Sequence, residues 1–549
     1  MNNPAGSADI LQTRVQELLA LYSGPNICLA DLLCDGRDPS SLAYRIIGSD
    51  LSVELLSYGA LRDESERFAS VLGGLGVRKG DRVATLMGKS RRYLATLLGI
   101  WRIGAVHVPL FTAFAPPAIS MRLDDSSAKV LICDSSQRAK LEPGEHIAAD
   151  AGWRLISTGP AEDRALSYDM LIAEAENFAA PVVAGGDEPI IHIYTSGTTG
   201  RPKAVVVPIK SLAAFRAYGE FALDLRHDDV FWNAADPGWA YGLYFGVLAT
   251  LTTGVASVLL QGSFSAEATY AVLSSQRVTN FTAAPTVYRS LRASALQVPS
   301  DLRLRCASSA GEPLTPEVNE WANGALGVCV HDHYGQTEAG MLINNHHHPA
   351  LKRPLKQGSM GRVMPGWAAV VLDEHEDVPA EAGEFGRLAM DLSHSPLAFF
   401  EGYQHDAARS AEKFAGGGRW YLTGDLARFD NDGYCYFGSR DDDVIIMAGY
   451  RIGPFEVESV LQSHSAVSES AVIAVPDSIR GEVIEAFIVL RDHTTASASL
   501  SKELQNWVKA KYAAHAYPRV IHFTASLPKT PSGKIQRYVL RQRRGAEKA

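Results

Sequence analysis

Residues 193–203 read I-Y-T-S-G-T-T-G-R-P-K, and the reading of the chain starts there. Thr195, Ser196, Thr198 and Thr199 crowd around Gly197 and Gly200, and Arg201 and Lys203 follow. Glycines let backbone N–H groups approach an anion closely, while hydroxyls and cationic side chains complete a phosphate cradle. An apolar run, Pro189–Tyr194, precedes the stretch and a β-branched run, Ala204–Val207, follows it. That pattern predicts strand, Gly-rich loop, strand. A Walker A loop has four residues between its glycines and then Gly-Lys-Ser/Thr opening a helix. Here two residues separate the glycines and a strand follows, so this cradle is of another kind.

Working outward, helical and strand periods alternate on both sides. Residues 9–22 predict a short amphipathic helix. Leu61, Phe68, Val71, Leu72 and Leu75 share one helical face, and Gly76 ends it. Arg82–Met87 follows as a strand. Tyr93, Leu94, Leu97, Leu98 and Trp101 share the next helical face, and Ala105–Leu110 and Lys129–Cys133 are strands. The alternation resumes after the loop, with helices near 209–221, 240–252 and 266–276 and strands near 230–234, 255–260 and 278–283. This is the signature of α/β layers with mostly parallel sheets, here in two subdomains. The run 237–266 holds no charged residue and is long enough to span a membrane. Gly242, Gly246 and Gly254 interrupt it, so it reads as a buried helix and then a buried strand.

Beyond residue 356, short segments punctuated by glycine and proline predict a smaller, mostly antiparallel β region. Asn431-Asp432-Gly433 marks a turn between aromatic strands. The acidic run Asp441-Asp442-Asp443 marks a domain boundary. The expected fold is therefore α/β. A large N-terminal domain (1–440) holds two α/β subdomains plus the β region, and a small, mobile C-terminal α+β domain spans 441–549. That domain ends in the loop Leu527–Lys534 and a basic helix, 535–544.

The chain has 549 residues, a net charge of −9 and no basic block, so nucleic-acid binding has no electrostatic support. Six scattered cysteines without a C-x-x-C pair imply free thiols in a reducing compartment, hence a cytoplasmic protein. The first residues show no basic-then-apolar signal pattern. No membrane span is expected. His331, His333 and His346–His348 have no metal-ligand spacing and read as structural.

Four motifs in order carry a resemblance: Tyr194–Lys203, Tyr334–Glu338 (Y-G-Q-T-E), Tyr421–Arg440 (Y-L-T-G-D…D-G-Y…R) and Pro528–Lys534 (P-K-T-P-S-G-K). With Gly311-Glu312-Pro313 they span most of residues 190–535. The chain resembles the adenylate-forming superfamily, which holds acyl-CoA synthetases, peptide-synthetase adenylation domains and beetle luciferases. The resemblance implies ATP, Mg²⁺ and coenzyme A as co-substrates and cofactor. A carboxylate would attack the ATP α-phosphate, giving an acyl-adenylate and pyrophosphate. Catalysis would then consist of positioning and of neutralising phosphate charge.

By that resemblance, Thr195, Ser196, Gly197, Thr198, Thr199 and Lys203 hold the β- and γ-phosphates, Thr337 touches phosphate and Glu338 binds Mg²⁺. A hard cation bridging phosphates takes a carboxylate oxygen, so the residue type fits. Asp425 would accept hydrogen bonds from the ribose hydroxyls, and Arg440 would reach the ribose or phosphate. Tyr334 would stack on adenine, with Gly311, Glu312, Pro313, Asp332, His333 and Gly335 lining its pocket. Lys534 would reach the acyl-phosphate junction, a compact charge that enters and leaves with its domain. The family position matching Lys534 is a site of regulatory acetylation, which would erase that charge. Asp442 matches the hinge, about which the C-terminal domain would rotate to bring Gly449 and Arg451 to coenzyme A. A homodimer and a lysine acetyltransferase acting at Lys534 are the expected protein partners.

Asp236–Gly242 (D-P-G-W-A-Y-G) resembles the acetate and medium-chain branch of the acyl-CoA synthetases. Acetate-specific members carry a tryptophan where this chain has Gly335. Loss of an indole is expected to open the acyl pocket to a medium-chain, branched or aromatic acid. Trp239, Tyr241 and Phe245 are candidate pocket walls. Two other functions fit the same motifs: a stand-alone adenylation enzyme that loads a carrier protein, and a catalytically silent nucleotide-binding protein. Intact Glu338, Asp425, Arg440 and Lys534 argue against the second.

Overall fold

A computed structural model describes residues 4–548, apart from 163, 177–179, 196–201, 263, 441–442, 444, 448–449, 478–480, 492–493, 514–515 and 531–533. Ser196, Gly197, Thr198, Thr199, Asp442 and Gly449, and the side chain of Arg451, lie outside what is described.

The opening stretch folds as its sequence predicts on both sides of that loop. Pro189–Thr195 and Lys203–Pro208 are antiparallel strands, with Ile193 opposite Val205 and Thr195 opposite Lys203. They form one edge of a seven-stranded sheet that continues through Val106–Pro109, Arg82–Leu86, Val130–Cys133, Arg154–Ser157 and Ala165–Ser167. Beyond the hairpin the pairings are parallel, as the helix–strand alternation demands. Helices Tyr58–Gly74 and Arg91–Arg102 start where serines cap them. Ser57 accepts from the Ala60 N–H and Ser90 from the Tyr93 N–H, satisfying N–H groups that the first turn leaves free.

The second sheet differs from expectation in one respect. Its parallel strands (Leu42–Ile47, Ser257–Leu260, Phe231–Asn233, Asn280–Ala283, Cys306–Ala310 and Val330–Gln336) continue without a break into the antiparallel ones. Gly340–Asn344, Ser359–Val363, Cys435–Arg440, Trp420–Phe429, Gly386–Asp391 and Ala369–Leu372 carry on one 14-stranded sheet, which Val53–Ser57 closes at the other end beside Leu42–Ile47 and to which Phe414–Ala415 adds beside Trp420–Phe429. The β region is thus an extension of the second subdomain. The reversal happens at the tight turn after Gln336, where Val330–Gln336 pairs antiparallel with Gly340–Asn344. Thr337 and Glu338 sit in that turn.

The uncharged run is a buried helical segment over 242–253, ended by Gly254, and then the buried strand Ser257–Leu260. No helix among the described residues is long and apolar enough to cross a membrane. The six cysteines are free thiols, with Cys34, Cys133, Cys306 and Cys435 buried.

The C-terminal residues build their own core, from Ile445 to Leu540, around a five-stranded sheet and helices Pro454–Gln462 and Ala498–Lys511. Asp443 is largely buried and accepts from Arg541 (2.8 Å) and Arg537 (3.3 Å). Arg537 also holds Glu458 (2.7 Å), and Arg544 holds Glu485 (2.7 Å). The basic helix Arg537–Lys548 owes its composition to these acids.

Candidate active site

The turn after Gln336 and the strands Trp420–Phe429 and Cys435–Arg440 meet at one carboxylate. Asp425 faces Arg440 across the antiparallel pair, and their side chains approach to 3.4 Å. The Tyr334 hydroxyl donates to Asp425, and Gln336 Nε2 donates to the same oxygen at 2.8 Å. Gln336 also donates to the Thr423 carbonyl (2.9 Å) and accepts from the Tyr421 hydroxyl (2.8 Å). Asp425 is only 4% exposed, so these donors are what make a buried carboxylate tolerable there. Tyr334, Asp425 and Arg440 are therefore brought together.

Glu338 lies 8% exposed beside them. Tyr403 donates to its Oε1 at 2.8 Å, and the Lys203 ammonium stands 4.9 Å over the same tyrosine ring. Nothing among the described residues serves the other carboxylate oxygen. A nearly buried carboxylate with one oxygen free suits a hard, oxygen-seeking cation, so the residues present fit Mg²⁺. The Thr337 carbonyl accepts from Tyr244 (3.2 Å), which fixes the turn.

Lys413 is a residue that sequence reasoning missed. It donates to the Leu422 and Thr423 carbonyls (3.1 and 2.9 Å), in reach of the charges on Glu338, Asp425, Arg440 and Lys203. Burial holds its ammonium below the ordinary lysine value. Gln336, Tyr403 and Tyr421 were missed as well. Gln336 stood inside a quoted motif, where its place beside Thr337 was the available signal. Tyr403 and Lys413 lie between motifs and carried none.

Lys534 comes in from the C-terminal end. Its ammonium stands 5.8 Å over the Trp239 ring. The residue is exposed, yet protein crowds its ammonium. That crowding, then the Arg440 guanidinium, hold its ammonium below the ordinary lysine value, against Asp425, Glu312 and Glu338. Lys203, Lys413, Arg440 and Lys534 thus face the two carboxylates Asp425 and Glu338. Glu312 is neutralised by Arg289 at 2.9 Å. The surplus of positive charge suits a polyanion.

Gly311 has a φ of 107°, and a β-carbon there would lie 2.8 Å from the Trp239 ring. Only glycine lets the Gly311-Glu312-Pro313 turn pass under that indole. Next to it Asp332 receives the Leu314 N–H at 3.5 Å, and burial pushes its carboxyl up to about 8. His333 is buried and bonded to the Tyr218 hydroxyl (2.7 Å).

On the acyl side, Trp239 and Tyr241 lie 5.6 Å apart, ring to ring. The Tyr241 hydroxyl bonds Thr282 (2.7 Å) and Tyr218 (3.0 Å). Phe245 packs against Tyr218 and Phe215 in the core behind them. The expected opening at Gly335 is not there. A β-carbon on Gly335 would lie 2.2 Å from the Gly340 carbonyl and 2.6 Å from the Met341 sulfur. The glycine serves the close approach of the two hairpin strands at a bulge between Tyr334 and Gly335, and the space beside it is filled.

Compared with known proteins, the chain matches the AMP-binding enzyme family over residues 42–403 and its C-terminal domain over 456–534. It is 36% identical over 507 residues to an acetyl-coenzyme A synthetase of Bacillus subtilis (strain 168), covering 89% of this chain and 85% of that one. The crystal structure of an acyl-CoA synthetase from Brucella canis matches with a TM-score of 0.75 at 41% identity, over 97% and 98% of the two chains. The anthranilate CoA ligase AuaEII in complex with anthranoyl-AMP matches with a TM-score of 0.86 at 27% identity, over 95% and 98%.

Proposed function

The chain belongs to the AMP-binding enzyme family and is an AMP-forming acid–thiol ligase, and from that premise we propose roles for its residues and a class for its acid. It uses ATP, Mg²⁺ and coenzyme A. The observation that carries the assignment of roles is the seat of Lys534, over Trp239 and among the charges of Glu338, Asp425 and Arg440.

Asp425, oriented by Tyr334 and Gln336, offers its remaining lone pairs to the ribose hydroxyls. Lys203, Lys413 and Arg440 offset phosphate charge, as do the loop hydroxyls of Thr195, Ser196, Thr198 and Thr199. Glu338 would hold Mg²⁺, which when bound draws charge from phosphate oxygens. Lys534 stabilises the charge that develops where the acid oxygen bonds the α-phosphorus and pyrophosphate leaves. A thiolate then attacks the acyl carbon, the carbon–oxygen bond to AMP breaks and the thioester forms. For that step we propose that the domain beyond Arg440 rotates about Asp442, taking Lys534 out and bringing Gly449 and Arg451 in. Acetylation of Lys534 would silence the first half-reaction alone. Its free thiols support a reducing compartment, and we propose the cytoplasm.

Two compared proteins, by their names, act on acids as different as acetate and anthranilate, so kinship alone does not choose the acid. We assign this chain a medium-chain, branched or aromatic acid, because Trp239 and Tyr241 wall the site with rings and the run 237–266 offers no charge to a polar substituent. The test is product analysis with ATP, Mg²⁺ and acids from acetate to decanoate plus benzoate, with and without coenzyme A. AMP and pyrophosphate formed with medium-chain acids or benzoate, and turnover only with coenzyme A, are expected. Preference for acetate overturns the acid class. Turnover with a carrier protein and none with coenzyme A favours the carrier-loading function.

A further inference from the structure

Tyr403 stands between a cation and an anion that come from different sheets. Its hydroxyl donates to Glu338 Oε1 at 2.8 Å, and the Lys203 ammonium lies 4.9 Å from the centre of its ring. The residue is 5% exposed, and the Phe400 ring meets it edge-on at 5.0 Å. Burial, then the Glu338 charge, push its phenol above the ordinary tyrosine value, so it stays protonated and donates.

The backbone fixes where that ring stands. Tyr403 forms an antiparallel bridge with Val205, and the Gln404 N–H donates to the Ala204 carbonyl at 2.9 Å. Both partners lie on the strand Lys203–Pro208, which follows the Gly-rich stretch. The Tyr403 N–H donates to Ser410 Oγ at 2.8 Å, and that hydroxyl donates to the Asp406 carbonyl at 2.6 Å. The ring is thus tied to the first sheet at the strand that carries Lys203. Glu338 arrives from the turn after Gln336, in the second sheet.

One side chain therefore serves a cation with its face and an anion with its hydroxyl. The negative face of the ring attracts the ammonium, and the O–H satisfies one carboxylate oxygen. No ion pair joins Lys203 to Glu338 among the described residues. The two charges do not cancel each other, so the ammonium is left for phosphate and the second carboxylate oxygen for a cation.

We propose, on the reading that Glu338 holds Mg²⁺, that Tyr403 is a positioning residue that keeps Lys203 and Glu338 apart and in register across the two sheets. It aims the one at phosphate and the other at the metal.

The test measures binding of α,β-methylene-ATP, which cannot be cleaved at the α-phosphorus, to the full chain by calorimetry, with Mg²⁺ and with EDTA. Tyr403→Phe keeps the ring and removes the hydroxyl. It should cut the affinity with Mg²⁺ about tenfold or more, the usual cost of losing the outer partner of a metal ligand, and leave the affinity in EDTA within about twofold. Tyr403→Leu removes the ring as well and lets Lys203 close on Glu338, so it should lower both affinities. Equal losses of Tyr403→Phe with and without Mg²⁺, or no loss with Mg²⁺, overturn the positioning of Glu338. A Tyr403→Leu affinity in EDTA equal to that of Tyr403→Phe overturns the seating of Lys203. Glu338→Gln separates this role from the metal role on which it rests. If Glu338→Gln abolishes the gain from Mg²⁺ and Tyr403→Phe keeps it, the role of Tyr403 alone is refuted. If Glu338→Gln keeps the gain, Glu338 is not the metal ligand and both fall. In adenylation kinetics, half-saturating Mg²⁺ should rise in Tyr403→Phe while the KM for the acid stays at the parent's value; a parallel rise in both would mean a general loosening of the site.

Discussion

Lys534 and Asp332 show how one side chain's surroundings set its chemistry. In the role proposed for it, Lys534 supplies the charge that the adenylation step alone requires, so Lys534→Ala should slow acid-dependent pyrophosphate release by about 10²–10³-fold, the usual cost of removing one transition-state donor. Thioester formation from supplied acyl-AMP should fall far less; equal losses in the two assays would refute the role. Because crowding and Arg440 lower its ammonium, the adenylation rate should decline on the alkaline side below the ordinary lysine range. Asp332 runs the other way. Its carboxyl titrates at about 8 in the fold, above its unfolded value, because burial disfavours the charge. Its contribution to stability is full below the unfolded value near 4 and is lost as pH rises through about 8. Asp332→Asn, which never ionises, should therefore raise the melting temperature relative to the parent more at pH 9 than at pH 5. A gap that does not grow with pH would mean the carboxyl is not held protonated.

At the scale of elements, the helix Arg537–Lys548 is bound to the small domain by buried charge. Arg537 serves Glu458, 4% exposed at its side chain, and Asp443 at once. Removing one partner of a buried pair leaves an uncompensated charge, at a cost of roughly 3–5 kcal/mol. Arg537→Ala should lower the denaturation midpoint of the small domain accordingly. It should also weaken adenylation, since Lys534 lies three residues before it. A loss under about 1 kcal/mol in a urea titration would show the pair to be solvated. The hairpin at Gln336 is the other decisive element. Its strands approach so closely at Gly335 that a tryptophan there would force the Met341 strand away. That steric fact was invisible from the residue type, which suggested vacant space.

Across the whole molecule, two separate cores underlie one site. The cluster from Ile445 to Leu540 is distinct from the main core, and Lys534 spans the gap to Trp239. Thermal unfolding should therefore show two transitions in the free protein. A non-hydrolysable acyl-adenylate analogue that touches both parts should raise and merge them. Two unshifted transitions at saturating analogue would mean that Lys534 does not engage it. The sequence by itself determined the alternation of helices and strands, the two strands that flank the Gly-rich stretch and the antiparallel texture past 356, and it singled out Tyr334, Glu338, Asp425, Arg440 and Lys534 as candidates. Period, turn residues and short motifs are local, so they survive in a linear string. Only the tertiary structure decided that the β region extends the second sheet, that Gln336, Tyr403 and Lys413 brace the carboxylates, and that Gly335 serves packing. Each of those depends on which distant strands become neighbours, and that is settled by long-range burial and register, which no single stretch of sequence contains.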